Sequence, residues 1–138
     1  MSNETTAFNQ KIIAEFRANA GVVGPPFEGA PLLLLGNVGA KSGEARTNPL
    51  AYTTDGDDLI IIASFAGADK HPPWYYNLKA NPNVTVEVGT EKYAALASEV
   101  EEPDRTRLYT QMEEQMSTFT DYREKTERVI PVIRLTRQ

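Results

Sequence analysis

What most limits the fold of this chain is a series of about six short extended runs, several of them joined by turns too tight to hold a crossover helix. Pro31 to Asn37 is continuous and apolar, the pattern of a strand buried on both faces. Arg46 to Thr54 is the next run. Pro49 inside it marks an edge, a bulge or a ligand-facing position, because proline has no N–H to give to a neighbouring strand. The turn Asp55-Gly56-Asp57 then returns the chain through Leu59 to Ser64 as a hairpin. Val84, Val86 and Val88 alternate with Thr85 and Glu87, which is a half-buried strand, and Gly89-Thr90 leads into its partner, Glu91 to Val100. Val129 to Thr136 is the last run, interrupted by Pro131. Hairpin-linked strands with helices at their ends predict a mainly β (α+β) fold, a small antiparallel barrel.

The helices are legible from spacing. Between Thr5 and Asn19, Phe8, Ile12, Ile13 and Phe16 recur on one face, opposite Asn9, Lys11, Glu15 and Arg17. The polar face is mixed in sign, so docking on the chain's own domain is favoured over lying on a membrane, and peripheral membrane contact through this helix is the second reading. Pro72-Pro73 open a short helix carrying Trp74, Tyr75 and Leu78 on one face, and Asn81-Pro82 stop it. Glu102-Pro103 opens another, with Leu108, Met112 and Met116 at four-residue intervals. With 138 residues the simplest organisation is one domain: an amphipathic helix over 1–20, a Gly/Pro-rich linker over 21–31 and a barrel over 32–138.

Composition removes several classes of function. The net charge is −5, which argues against nucleic-acid binding through a basic stripe. There is no cysteine and a single histidine, so thiol chemistry is excluded and a transition-metal centre is not indicated. The longest apolar runs are too short to span a bilayer and the N-terminus lacks a signal-peptide pattern, so the expected location is the cytoplasm.

Against this acidic background one segment stands out. Gly39, Lys41, Ser42, Gly43 and Arg46 run into Asn48-Pro49-Leu50 between two extended runs. Two glycines allow positive φ, so that successive N–H groups aim at one point as an anion nest. Lys41 adds a mobile point charge and Arg46 a planar fork suited to phosphate or carboxylate. The alternative is a Gly-rich hairpin whose cations face water. A nucleotide-triphosphate loop is excluded, because Ala40 and Leu35 stand where that motif needs glycine and Asn48-Pro49 prevents the helix it requires.

Three motifs in series, Gly39 to Leu50, Ala63-Ser64 at a strand end, and His71 through Pro82, together resemble the deazaflavin-dependent nitroreductase family, split β-barrel oxidoreductases that use coenzyme F420. The resemblance implies an FMN-binding-like antiparallel split barrel. It implies a grip on the cofactor's phosphate and glutamate tail by Lys41, Ser42, Gly43 and Arg46, which agrees with the anion-nest reading. Asn48, Pro49 and the segment Ser64, Ala66, Gly67 would form the floor under the deazaflavin ring, with Trp74 and Asn77 in the helix closing the groove. Trp74 is equally readable as core. Relatives carry lysine and glycine where this chain has Phe65 and Ala66, and Lys70 is the candidate to compensate. Of the C-terminal tyrosines associated with nitroimidazole reduction, the matching positions here are Met116, Phe119 and Tyr122.

A reduced deazaflavin needs from its protein an oriented acceptor and a proton rather than a nucleophile. Tyr122 and Ser64 are the candidates for proton delivery, and Met116, Phe119 and Tyr122 for the acceptor pocket. His71, beside two prolines, reads as a solvated loop residue. The expected function is hydride transfer from reduced F420 to a quinone or another conjugated or nitro acceptor. An FMN-binding reductase of the same architecture and a non-catalytic deazaflavin or lipid carrier are the rivals.

Overall fold

The computed structural model describes residues 3–24 and 31–138, with side chains from residue 7 onward. The central part of the expected linker, 25–30, lies outside the described residues. The elements in chain order are α1 (Asn3–Ala18), β1 (Leu32–Val38), β2 (Ala45–Asp55), β3 (Asp58–Ile62), α2 (Pro73–Ala80), β4 (Asn83–Val88), β5 (Glu91–Glu99), α3 (Asp104–Gln115), α4 (Thr118–Glu124) and β6 (Val132–Arg137). A one-turn 3-10 segment, Phe65–Gly67, follows β3.

The strands close into an antiparallel barrel in the order β1-β2-β3-β6-β5-β4. Alternation along each strand assigns the faces. Leu33, Leu35, Ile61, Val86, Ala95 and Leu135 point inward, all at 2% exposure or less. On the outside, Leu32 and Leu34 of β1 pack under Ile12, Ile13 and Phe16 of α1, while Ile60, Ile62 and Val132 lie under α3 and α4. Both faces of β1 and β3 are therefore covered, which is why their sequences read as unbroken apolar runs. The helix α2 plugs one end of the barrel with Trp74, Tyr75 and Leu78.

The apolar stripe of α1 is consumed by this packing, each such side chain contributing about 1.5–3 kcal/mol. A fork from Arg17 onto Glu87 of β4, at 2.8 and 3.2 Å, fixes the helix against the sheet and holds the Glu87 carboxyl below its usual range. Among the described residues, no helix is long and apolar enough to cross a membrane.

One helix was not anticipated and one strand boundary shifts. The helix expected after Glu102-Pro103 is α3, which ends where Met116 leaves helical geometry (φ −142°, ψ 101°), and the short helix α4, unread in the sequence, follows from Thr118. Ser117 stands at the opening of α4 but its side chain makes no capping bond. The last strand begins at Val132, not Val129; Pro131 stays outside it and accepts a bond from Ala63 N through its carbonyl.

Candidate functional site

The barrel is incomplete along β2. This strand pairs with β1 from Ala45 to Ala51, but it pairs with β3 only from Tyr52 to Asp55. On its other edge, residues 45–51 have no strand partner among the described residues. Pro49 sits in this half, so the missing N–H is one that no neighbour requires. At the same level β3 ends at Ile62, and the chain turns away through Ala63 and Ser64 into the 3-10 segment. The gap between the free edge of β2 and this turn is the split in the barrel.

One wall of the gap is built by three asparagines. Asn37 is the inward residue after Leu33 and Leu35 and is only 3% exposed. Its amide donates to Asn48 Oδ1 at 3.0 Å and to the Leu35 carbonyl at 3.2 Å, and its Oδ1 accepts from Asn77 Nδ2 at 2.8 Å. Asn77 Oδ1 in turn accepts from the Ala40 N–H at 2.8 Å. The relay thus ties β1, β2 and the plug helix to the turn 39–44. Sequence reading missed Asn37, although a lone amide at an inward position of an apolar strand was its signal.

The turn itself departs from the expected nest. Gly39 N–H donates to the Glu44 carbonyl, Gly43 N–H to the Gly39 carbonyl, and Glu44 N–H to Ser42 Oγ. The glycine amides therefore hold the turn rather than point to a ligand, and with Ala40 committed to Asn77, only the N–H groups of Lys41 and Ser42 have no partner among the described residues. Of the two glycines expected to allow positive φ, Gly43 adopts it (+71°) and Gly39 does not. Lys41 is exposed and unpaired among the described residues, and Arg46 has only Glu44 at 3.5 Å, with both side chains more than half exposed. Two cations and two free amides remain available to an anion.

The opposite wall is strained. Phe65 and Ala66 have φ of 48° and 54°, and Gly67 has 81°, three left-handed residues in a row. Two of them are not glycine, and each such residue costs on the order of 1–3 kcal/mol, so the surroundings must impose the shape. At Gly67 a side chain would meet the Tyr122 carbonyl at 2.9 Å, which shows how closely α4 lies on this turn. Ser64 is 8% exposed, and its hydroxyl has no partner among the described residues. Lys70 is exposed a few residues on.

The remaining expected residues separate into walls and supports. Tyr122 is partly buried and its hydroxyl has no partner among the described residues; Met116 is partly buried beside it in the same cluster. Phe119 is 6% exposed, between Tyr109 and Tyr122 in edge-on contacts, so it backs the wall and does not line it. Trp74, likewise 6% exposed, packs into the core as part of the barrel plug.

His71 is not a solvated loop residue. It packs 4.6 Å from the Tyr75 ring, centre to centre, and its Nδ1 lies 3.0 Å from Arg128 Nη1. A guanidinium can only donate, so Nδ1 accepts and the ring proton sits on Nε2. Burial and the Arg128 charge hold the imidazole below its usual pKa, with Glu99 opposing.

A split antiparallel barrel whose gap has a cationic rim is the geometry against which known proteins can be compared. A family model described as F420H(2)-dependent quinone reductase matches residues 9–137. The chain belongs to the F420H2-dependent quinone reductase family. The F420H2-dependent quinone reductase Rv1261c of Mycobacterium tuberculosis (strain H37Rv) is 41% identical over 129 residues, covering 91% of this chain and 87% of that protein. Among solved structures, an F420-H2 dependent reductase (FDR-A) superposes with a TM-score of 0.70 at 36% identity, covering 76% of this chain and 93% of its own. A chain described as a domain-swapped dimer gives a TM-score of 0.72 at 31% identity over 96% of this chain and 97% of its own. Family membership makes the protein an oxidoreductase dependent on F420H2, and the split-barrel fold agrees with it.

Proposed function

We propose that the protein reduces a quinone with F420H2 held in the split, the tail over the 41–46 rim and the ring between the free edge of β2 and the turn after β3. The observation that carries this placement is the half-paired β2, which opens a slot between two walls without opening the core. The residues fit the cofactor's chemistry. Lys41, Arg46 and the free amides of Lys41 and Ser42 suit a phosphate and carboxylates, with Gly43 shaping the turn that presents them. Asn48, Pro49, Ser64, Ala66 and Gly67 border the slot where a flat ring would rest, and Lys70 is placed to meet an anionic group at its edge. Asn77 supports the rim through Ala40, and Trp74 supports Asn77's helix from the core.

When bound, reduced F420 supplies a hydride. The chain has to present an acceptor to it, exclude competing water and follow the charge that develops on the acceptor. Met116 and Tyr122, backed by Phe119, form an apolar wall with one hydroxyl. Tyr122 Oη is free to donate to a quinone carbonyl oxygen as it becomes basic, and Ser64 Oγ is the second candidate donor. A cytoplasmic location goes with this reading. Contact with a membrane surface through α1 would depend on Phe8, 42% exposed, because Ile12, Ile13 and Phe16 face the barrel.

Fluorescence titration with F420 and FMN side by side, followed by turnover of F420H2 with a soluble quinone, tests the proposal. Tighter binding of F420 and quinone-dependent oxidation are expected. Equal or tighter binding of FMN would make the protein a flavin reductase of the same architecture, and binding without turnover would make it a carrier.

A further inference from the structure

Between α4 and β6 the chain runs back along the strained turn and is stitched to it. Lys125 packs on Gly67, and Thr126 Oγ1 donates to Asp69 Oδ1 at 2.8 Å. Arg128 follows with a denser set of contacts. Its Nε donates to the Ala68 carbonyl at 2.7 Å, Nη2 to the Ser64 carbonyl at 2.6 Å and Nη1 to the Ala63 carbonyl at 3.1 Å, while Nη1 also reaches His71 Nδ1 at 3.0 Å.

This is an unusual use of a partly buried guanidinium. Among the described residues no carboxylate lies within ion-pairing distance of Arg128, and Asp69, whose charge acts on it from farther away, is engaged by Thr126. An arginine placed for stability alone normally finds an acid, because an uncompensated charge is expensive to desolvate. Here the fork is matched to backbone carbonyls on both sides of the turn 65–67. A planar fork of N–H donors can satisfy three such acceptors at once.

We propose that Arg128 is the positioning residue of the slot. Its guanidinium, oriented by neutral His71, locks Ala63, Ser64 and Ala68 so that the turn keeps the left-handed shape facing the ring. The ring's place in this statement rests on the proposed function. Lysine at 128 would keep the charge and lose the fork, so charge alone does not restore the geometry.

The test has two arms on the full chain. In the ligand-free protein, hydrogen exchange of the amides of Gly67 and Ala68, which bond to Ser64 and Phe65 carbonyls, is compared in wild type, Arg128→Lys and Arg128→Met. Both variants should exchange there about tenfold faster, with β1 and β4 amides unchanged. In the second arm, F420 and the same deazaflavin without its phosphate tail are titrated. Both variants should weaken the two ligands by one common factor of about ten, whereas Lys41→Ala should weaken only the tailed one. Unchanged exchange at 67–68, or faster exchange with unaltered affinity for the tail-less ligand, overturns the assignment, as does Arg128→Lys behaving as wild type in both arms. If Arg128→Met does not fold, Arg128→Lys decides alone. If wild type binds neither ligand, the function reading fails, and the exchange arm still decides whether Arg128 holds the turn.

Discussion

Asn77→Ala is the perturbation that separates rim from ring most cleanly. The substitution deletes two hydrogen bonds of 2.8 Å, one from the exposed Ala40 N–H and one to Asn37 Oδ1 inside the barrel mouth. Water replaces the first, at about 0.5 kcal/mol. The second leaves an acceptor on a residue that is 3% exposed without its partner, which costs roughly 1–3 kcal/mol. Alanine is a better helix former than asparagine by about half a kcal/mol, which offsets part of the loss within α2. A net destabilisation of about 2 kcal/mol follows, a fall of roughly 6 °C in Tm for a chain of this size. Asn37→Ala alone should cost at least as much, and the double variant less than the sum, with a coupling of about 1 kcal/mol. Because Ala40 is released, the 39–44 turn loses its tether. Affinity for F420 should then fall about tenfold, while affinity for the tail-less deazaflavin stays within about twofold. Thermal melts and fluorescence titrations read both quantities. Additive melting shifts, or equal losses for the tailed and tail-less ligands, would show that the relay does not connect barrel mouth and rim as described.

Other expectations are narrower. Arg46→Ala should weaken F420 binding by about 1.5–3 kcal/mol while moving Tm by no more than a degree or two, since the Glu44 pair it breaks is largely exposed; intact binding with a large drop in Tm would make Arg46 a structural partner instead. Tyr122→Phe should lower kcat for a quinone and leave cofactor affinity nearly unchanged, because the hydroxyl acts mainly as charge develops on the acceptor; a silent substitution with every quinone removes Tyr122 from the reaction. For His71, the native state favours the neutral ring while the unfolded chain takes up a proton near pH 6.5. The stability it confers is complete above that value and is lost as pH falls from there toward the lowered native pKa, with Arg128, Tyr75, Tyr76 and Glu99 as the groups around it. His71→Gln should flatten the wild-type decline in Tm between about pH 6.5 and 5, and parallel curves would refute the neutral assignment.

The barrel was readable because its determinants are local. The turn residues, the inward alternation of β4 and the apolar runs of β1 and β3 each announce their own element. Pro49 left an edge, a bulge or a ligand-facing position open, and it lies in the half of β2 that does not pair with β3. The candidate site was suggested by residue chemistry alone only where that chemistry sits in one contiguous segment, as at Lys41 to Arg46. Arg128 touches carbonyls about 60 residues away in sequence, and nothing near Glu127 or Val129 hints at that role. The glycines of the 39–44 turn misled for a related reason. Positive φ tells where a backbone can bend, but whether the turn's amides face a ligand or each other is decided by the Glu44 backbone carbonyl and by Asn77 of a distant helix, which residue types in the turn do not specify.

Gly67→Ala tests whether α4 and the strained turn form one unit, and Gly56→Ala supplies its control. Both glycines have left-handed φ, +81° and +62°, so alanine at either is strained by about 1–2 kcal/mol. They differ in what a methyl group would meet. Gly56 has nothing within 4 Å, whereas at Gly67 the new carbon would stand 2.9 Å from the Tyr122 carbonyl and 3.0 Å from Lys125 Cβ. Backbone cannot swing aside as a side-chain tip can, so relief at Gly67 has to come from displacing α4, and Tyr122 travels with it. Gly56→Ala should therefore lower Tm by a few degrees and leave turnover untouched. Gly67→Ala should lower Tm by roughly twice as much and reduce kcat with quinone to about the level of Tyr122→Phe, and combining it with Tyr122→Phe should add little to the loss of kcat. The reasoning turns on that non-additivity: if the two substitutions reduce kcat independently, the turn and the tyrosine act separately, and α4 is only packed beside the slot.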